Sequence, residues 1–332
     1  MIINLQDSYN RNHNYLRVSL TDRCNLRCAY CMPEEKIQFT PKENQMNAQE
    51  LLTITKKFVE AGVQKVRLTG GEPLIRKDIA PILQGLSKLP IKLAMTTNGV
   101  LLEKYFDLLE EVRLKVLNIS LDSLNKEKFN QITKRDYFDR VWENIHLAIQ
   151  KGFIVKLNTV LIKGFNDDEI IDLVALSLNY KLQLRFIEFM PFDGNQWDFS
   201  KMVSEEEILN KVYQKYPENR VEKLEVKKHA TVKNFKLPNS LGCFGIISSV
   251  TKPFCDSCNR LRLTSDGKIK NCLFSNDEAD LLTKIREGKP IQEAVNLLIM
   301  KKHQVRAGMK ELTHFKSSDQ HRLNRSMVRI GG

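Results

Sequence analysis

Leu16-Arg17-Val18-Ser19-Leu20 runs through Thr21-Asp22-Arg23 into Cys24-Asn25-Leu26-Arg27-Cys28-Ala29-Tyr30-Cys31, so a short strand-like segment opens directly onto three cysteines. Outward from it the same unit recurs. Apolar or β-branched runs at Lys65–Thr69, Lys92–Thr96, Val116–Asp122, Ile154–Leu161 and Leu182–Phe189 predict five more strands. Longer segments of helical period lie between them. One is Asn47–Glu60, with Leu51, Ile54 and Phe58 on one face and an Asn47/Glu50 capping pair, and another is Asp167–Leu178. Strands end in turn-forming sequence, as at Gly70-Gly71-Glu72-Pro73, Thr96-Thr97-Asn98-Gly99 and Asp122-Ser123. Consecutive parallel βα units close by right-handed crossovers, so six of them form a doubly wound sheet or an incomplete barrel, with ligands at the strand C-terminal ends in either case. After Ser204, which opens a helix through a capping box with Glu207, short strands are punctuated by Pro238, Gly242, Pro253 and Gly267. The expected division is therefore residues 1–203 and 204–332.

The 332 residues are 42% hydrophobic, enough for a large core, which excludes a disordered chain. Fifty-two Lys and Arg against 40 Asp and Glu give a formal charge of +12 and point to an anionic partner. The charged stretch Glu222–Lys228 reads as an exposed edge. No apolar run reaches membrane-spanning length and Met1–Asn14 is polar, so a soluble, cytoplasmic protein without membrane contact is expected. Seven cysteines without a secretion signal suggest metal rather than disulfides.

Cys24, Cys28 and Cys31 are spaced C-x3-C-x2-C. Structural zinc takes four ligands in two close pairs, and no fourth Cys or His stands nearby, so a cubane iron-sulfur cluster fits better. Three thiolates on four irons leave one iron open to a small molecule. Cys255, Cys258 and Cys272 form a second triad, C-x2-C-x13-C, for which a cubane cluster and a zinc site completed by Cys243 or His229 both remain open. Arg260 and Arg262 follow at alternate strand positions. Arg17, Lys65, Arg67, Lys156 and Arg185 also fall within predicted strands, where cations are unusual. Five in such positions suggest an enclosed polyanion, for which a triphosphate is a natural candidate.

The cysteine spacing with Tyr30, and the Gly70–Pro73 turn after the second strand, resemble the radical S-adenosylmethionine (SAM) superfamily. That resemblance implies SAM on the open iron, with Tyr30, Gly70, Gly71, Glu72, Ser120 and Met190 at matching SAM-contact positions. With the second triad, its Arg-x-Arg and the terminal Gly331-Gly332, the whole chain is similar to the GTP 3',8-cyclase (MoaA) family. The family implies an incomplete, TIM-like (βα)6 barrel with a C-terminal extension carrying a second 4Fe-4S cluster. It also implies conversion of GTP to (8S)-3',8-cyclo-7,8-dihydro-GTP in molybdopterin synthesis. Arg17, Lys65, Arg67, Thr96, Lys156, Arg185 and the segment Arg260-Leu261-Arg262 match substrate-contact positions, while Arg17 and the Gly331-Gly332 tail match catalytic ones. Implied partners are GTP, an electron donor, the next enzyme of the pathway and a second copy of the chain. Cys243 has no family role and reads as a packing thiol. Rival readings are a peptide-modifying radical SAM enzyme, which would carry more C-terminal cysteines, and a zinc-stabilised nucleic-acid-binding protein. The latter needs aromatic residues interleaved with basic ones, whereas Phe254 and Phe274 form no such platform.

Overall fold

The computed structural model describes residues 2–32, 39–192, 195, 197–311, 314–315 and 324–331. Six strands, β1 (Tyr15–Ser19), β2 (Lys65–Thr69), β3 (Lys92–Thr97), β4 (Val116–Ser120), β5 (Ile154–Leu161) and β6 (Gln183–Glu188), pair in chain order and all parallel. A doubly wound sheet reverses its strand order at a switch point, so sequential order rejects that option and leaves the barrel.

The C-terminal part of the chain does not form a sheet of its own. Its strands β7 (Glu222–Lys223), β8 (Lys233–Lys236) and β9 (Cys243–Ile247) extend the array beyond β6, with β9 parallel to it. The remaining three, β10 (Arg260–Leu263), β11 (Lys268–Lys270) and β12 (Glu278–Asp280), extend it beyond β1, with β10 parallel to β1. One twelve-stranded sheet results. Strands lie about 4.8 Å apart, so β9 and β10, seven spacings apart, would be roughly 34 Å from each other in a flat sheet. Residues of both line one cavity with residues of β1 to β6, so the sheet curls round on itself.

Period-two alternation assigns the two faces. Leu16 and Val18 of β1, Val66 and Leu68 of β2, Leu184 and Phe186 of β6, and Leu261 and Leu263 of β10 are fully buried in the outer apolar layer. Helices α1 (Ala48–Glu60), α2 (Ile79–Ser87), α3 (Phe106–Glu111), α4 (Lys126–Thr133), α5 (Phe138–Gln150) and α6 (Ile170–Asn179) cover it, through residues such as Leu51, Ile54 and Phe58 of α1. The Asn47/Glu50 box caps α1, and the Ser204/Glu207 box caps α7 (Glu205–Lys215), in each case with both reciprocal hydrogen bonds. The inner face carries Tyr15, Arg17, Lys65, Arg67, Thr96, Asn118, Lys156, Asn158 and Arg185. A polar interior enclosed by an apolar wall therefore explains cations inside buried strands. The short β7 is an exposed sheet edge, as expected, although Leu224, Glu225, Lys227 and Lys228 beyond it line the cavity mouth. Among the described residues no helix is long and apolar enough to cross a membrane.

Candidate active site

The cavity has a volume of about 1120 Å³ and, among the described residues, is lined by twelve lysines and arginines against a single carboxylate, Glu225. Arg17, Lys65, Arg67, Thr96, Lys156, Arg185, Arg260 and Arg262 all line it. Strand register brings them together, because Arg17 lies opposite both Arg67 and Arg262 while Tyr15 lies opposite both Lys65 and Arg260. Leu261 alternates away into the apolar layer and is fully buried there, so only its backbone faces the cavity side.

So many cations at close quarters perturb one another. Burial, then Arg262, pulls Arg17 well below its usual pKa, and burial, then the Arg185, Lys65 and Arg67 charges, brings Lys156 to about 7. Burial followed by Arg67 depresses Arg185 to about 10, and burial followed by Arg260 does the same to Arg262. Each of these shifts records a cost that a bound anion would offset.

Tyr15, which the sequence reading did not single out, is the hub of this array. Its hydroxyl accepts from Arg67 Nε and its ring lies beneath Lys65 Nζ, 4.8 Å from the centroid. Burial pushes the phenol up, but Arg67, Arg17 and Lys65 outweigh it and bring it down to about 8. Its alternation with Arg17 was the available signal. Asn118 and Asn158 were also missed. Both face the cavity with a buried Oδ1 that has no hydrogen-bond partner, and such an atom costs about 1–3 kcal/mol unless a ligand donates to it.

The first cysteine triad follows the C-terminal end of β1, and its loop is fixed by its backbone. Arg27 and Ala29 N–H donate to Thr133 and Ile132 carbonyls at the end of α4. Gly71 N–H donates to Thr21 O at 2.6 Å and Glu72 N–H to Arg23 O at 2.8 Å, so the Gly70–Pro73 turn packs directly on the cysteine loop. A Cβ at Gly71 would lie 2.1 Å from Arg23 O, which explains a glycine there by close backbone approach. Glu72 is fully buried, and its carboxylate accepts from Leu74 N, Thr97 Oγ1 and Asn98 N. Asn98 Nδ2 in turn reaches Cys24 Sγ at 3.5 Å, so Glu72 orients the end of β3 towards the triad. Tyr30 OH donates to Asp122 Oδ2 at 2.7 Å. Ser120 ends β4, half-buried, and Met190 lines the cavity.

The second triad occupies the other end. Cys258 precedes β10, whose first residue, Arg260, is level with the first residue of β1, and Cys272 follows β11, which returns antiparallel beside β10. The two triads are thus separated by about 16 Å of strand. Cys255, Cys258 and Cys272 line the cavity; the first triad does not. The thiols of each triad lie close enough to feel one another's charge. Among the described residues no set of three or more His, Cys, Asp or Glu is spaced to grip a single metal ion. Of the two candidate fourth zinc ligands, Cys243 sits on β9 opposite Gln183, beside Arg185 and Lys156, whereas His229 lies beside the triad, its Nδ1 bonded to the carbonyl of Ser257 at 2.6 Å. Cys243 therefore lines the cavity rather than packing in the core. An all-thiolate set of three suits an iron-sulfur cluster with one open iron at each end.

The chain end joins these elements. Gly331 adopts φ +83°, and a Cβ there would lie 2.7 Å from Ser19 Cβ and Thr69 Oγ1. Its carbonyl accepts from Arg262 Nη1 at 3.1 Å, which brings the tail to the cavity wall. Gly332 lies outside the described residues.

Residues 18–176 match the radical SAM superfamily and residues 182–311 match the molybdenum cofactor synthesis C-terminal family. The chain is 44% identical, over 98% of its length and 51% of the relative's, to human molybdenum cofactor biosynthesis protein 1. It is 41% identical, over 99% of its length and all of the relative's, to a GTP 3',8-cyclase of Alkaliphilus oremlandii. The chain spans about half the length of the mammalian relatives it matches. A solved Streptococcus suis SuiB structure with SAM bound shares the fold at TM-score 0.63 and 17% identity, over 97% of this chain and 78% of SuiB.

Proposed function

Because the chain belongs to the GTP 3',8-cyclase family of the radical SAM superfamily, we propose that it converts GTP to 3',8-cyclo-7,8-dihydro-GTP, the opening step of molybdopterin synthesis. The observation that carries this reading is a cavity with a cationic wall lined by the second cysteine triad, with the first triad on the loop beyond the opposite, C-terminal end of β1. Cys24, Cys28 and Cys31 would hold the cluster that binds SAM, and Cys255, Cys258 and Cys272 a second cubane facing the substrate. When bound, the first cluster would supply the electron that splits SAM into methionine and a deoxyadenosyl radical able to take the 3' hydrogen of the ribose, and a second electron with a proton would complete the dihydro product.

The chain's own residues do the rest. Lys65, Arg67, Lys156 and Arg185 lie on the walls from β2 to β6 and would neutralise the triphosphate by charge-assisted hydrogen bonds. Arg260 and Arg262 stand beside the second triad and fix the nucleotide end nearest to it. Thr96, Asn118 and Asn158 offer neutral partners to the sugar and base. Arg17, central between Arg67 and Arg262, sits where the tail closes on the cavity, so the tail and the wall exclude water from the reacting carbon. The product would pass to the next enzyme of the pathway, and an external one-electron donor would serve the first cluster.

The test is anaerobic reconstitution followed by incubation with SAM, GTP and reductant. About eight irons per chain, GTP-dependent deoxyadenosine and a cyclised nucleotide are expected. Deoxyadenosine formed at the same rate without GTP, with GTP recovered unchanged, would overturn the cyclase reading and leave the superfamily intact.

A further inference from the structure

Lys302 is 4% exposed and lies just past α8 (Gln292–Met300), its backbone N–H donating to Ile299 O. Its sequence context, Lys301-Lys302-His303, is that of a charged surface, yet its ammonium points inward. The three acceptors around Nζ are Asn271 O at 2.6 Å, Arg260 O at 3.0 Å and Cys258 Sγ at 3.6 Å. Asn271 immediately precedes Cys272, and Arg260 stands two residues after Cys258, so one side chain ties both arms of the second triad.

No carboxylate among the described residues makes an ion pair with Lys302, although other buried cations have them: Arg11 pairs with Asp7, and Lys270 with Glu278. The nearby His13 is fully buried and held neutral, its pKa brought to about 3 by burial first and the Lys302 charge second. A buried ammonium with two carbonyls and a sulfur for partners needs negative charge from somewhere. The thiolate side of the second site is the source the geometry offers.

We propose that Lys302 is the built-in counter-charge of the second cluster, a positioning residue that holds its two ligand arms and favours the cluster's reduced state. The inference rests on the reading of Cys255, Cys258 and Cys272 as ligands of a redox-active cluster. One-electron reduction adds one negative charge beside Nζ, and a fixed ammonium stabilises that added charge, raising the reduction potential. The electron comes from an external one-electron reductant, and no bond to Lys302 forms or breaks.

The experiment is an EPR-monitored redox titration of reconstituted protein in a Cys24→Ala/Cys28→Ala/Cys31→Ala background, with iron and sulfide counted per chain and folding checked by circular dichroism. Lys302→Met and Lys302→Gln should both shift the second cluster to lower potential at unchanged iron content, and Lys302→Arg should restore most of the shift. Potentials equal to the parent in Lys302→Gln with iron retained would overturn the proposal. If Met and Gln variants fold but lose the iron, Lys302→Arg decides: iron retained supports the need for charge, iron lost refutes it. A parent protein holding zinc or no cluster at this site would instead refute the underlying reading, an outcome visible before any Lys302 variant is made.

Discussion

The two cysteine triads use the same donors in opposite electrostatic settings. At the first, burial and then Glu72 raise the Cys24 thiol to about 11, burial and then Asp122 push Cys28 well up, and Cys31 is raised to about 12 by burial, then Cys24 and Asp122. At the second, burial likewise pushes Cys255 up, but at Cys258 Arg260 and Lys302 outweigh burial and bring the thiol down to about 6. Nearby charge selects ligand charge. An acidic end suits the sulfonium cation of SAM, and a basic end suits a triphosphate. On the proposed reading, one curled sheet would thus separate two oppositely charged co-substrates along its axis and leave their reacting atoms to meet between.

The largest expected effects come from removing either triad. Cys28→Ser should abolish SAM cleavage under every condition, whereas Cys258→Ser should keep slow, uncoupled deoxyadenosine formation while cyclised product disappears. Equal losses of SAM cleavage in both would erase the division of labour.

Next come the wall cations. Arg67→Ala or Lys156→Ala should weaken GTP binding by roughly 10- to 150-fold, the equivalent of about 1.5–3 kcal/mol for a lost charge-assisted hydrogen bond. SAM affinity, measured on the same samples by equilibrium dialysis, should stay within about twofold. A larger effect on SAM than on GTP would reverse the assignment of the ends.

Lys156 also predicts a pH dependence. Its folded pKa of about 7 lies below the usual 10.5, so the free folded chain binds fewer protons than the unfolded one between those values, and this group's contribution to stability rises with pH across that window. A bound triphosphate favours the charged form and raises the pKa again. GTP binding between about pH 7.5 and 9 should therefore take up a proton and weaken with rising pH, by at most about tenfold per unit. Calorimetry in buffers of different ionisation enthalpy reads that uptake, and Lys156→Met should remove most of it.

The smallest effect belongs to the acidic end. Asp122→Asn keeps an acceptor for Tyr30 but removes a buried charge, and should lower SAM affinity about 3- to 5-fold, roughly 1 kcal/mol, without moving GTP affinity.

Local chemistry made part of this legible in the sequence. Capping boxes at Asn47 and Ser204, the period-two strands and the two cysteine spacings are short-range signals, and each appears in the structure where the chain places it. Cations at alternate strand positions pointed correctly to a shared interior. The sequence could not show that β9 joins β6 while β10 crosses to β1, because that pairing depends on how the barrel closes. For the same reason Lys302 and Arg11 were invisible: Arg11 reaches Cys255 O across 244 residues, and Lys302 looked like surface charge. Glu72 shows a different limit, since its motif position was plain but its full set of inward hydrogen bonds was not.

The most direct test of the axial arrangement follows one hydrogen between the two ends. Reconstituted protein is given SAM, reductant and GTP deuterated at C3', and the deoxyadenosine is analysed by mass spectrometry. A single deuterium in deoxyadenosine, formed together with cyclised nucleotide, is the predicted result. Deoxyadenosine without deuterium, despite GTP bound to the basic wall, would contradict the claim that both ends act on one molecule.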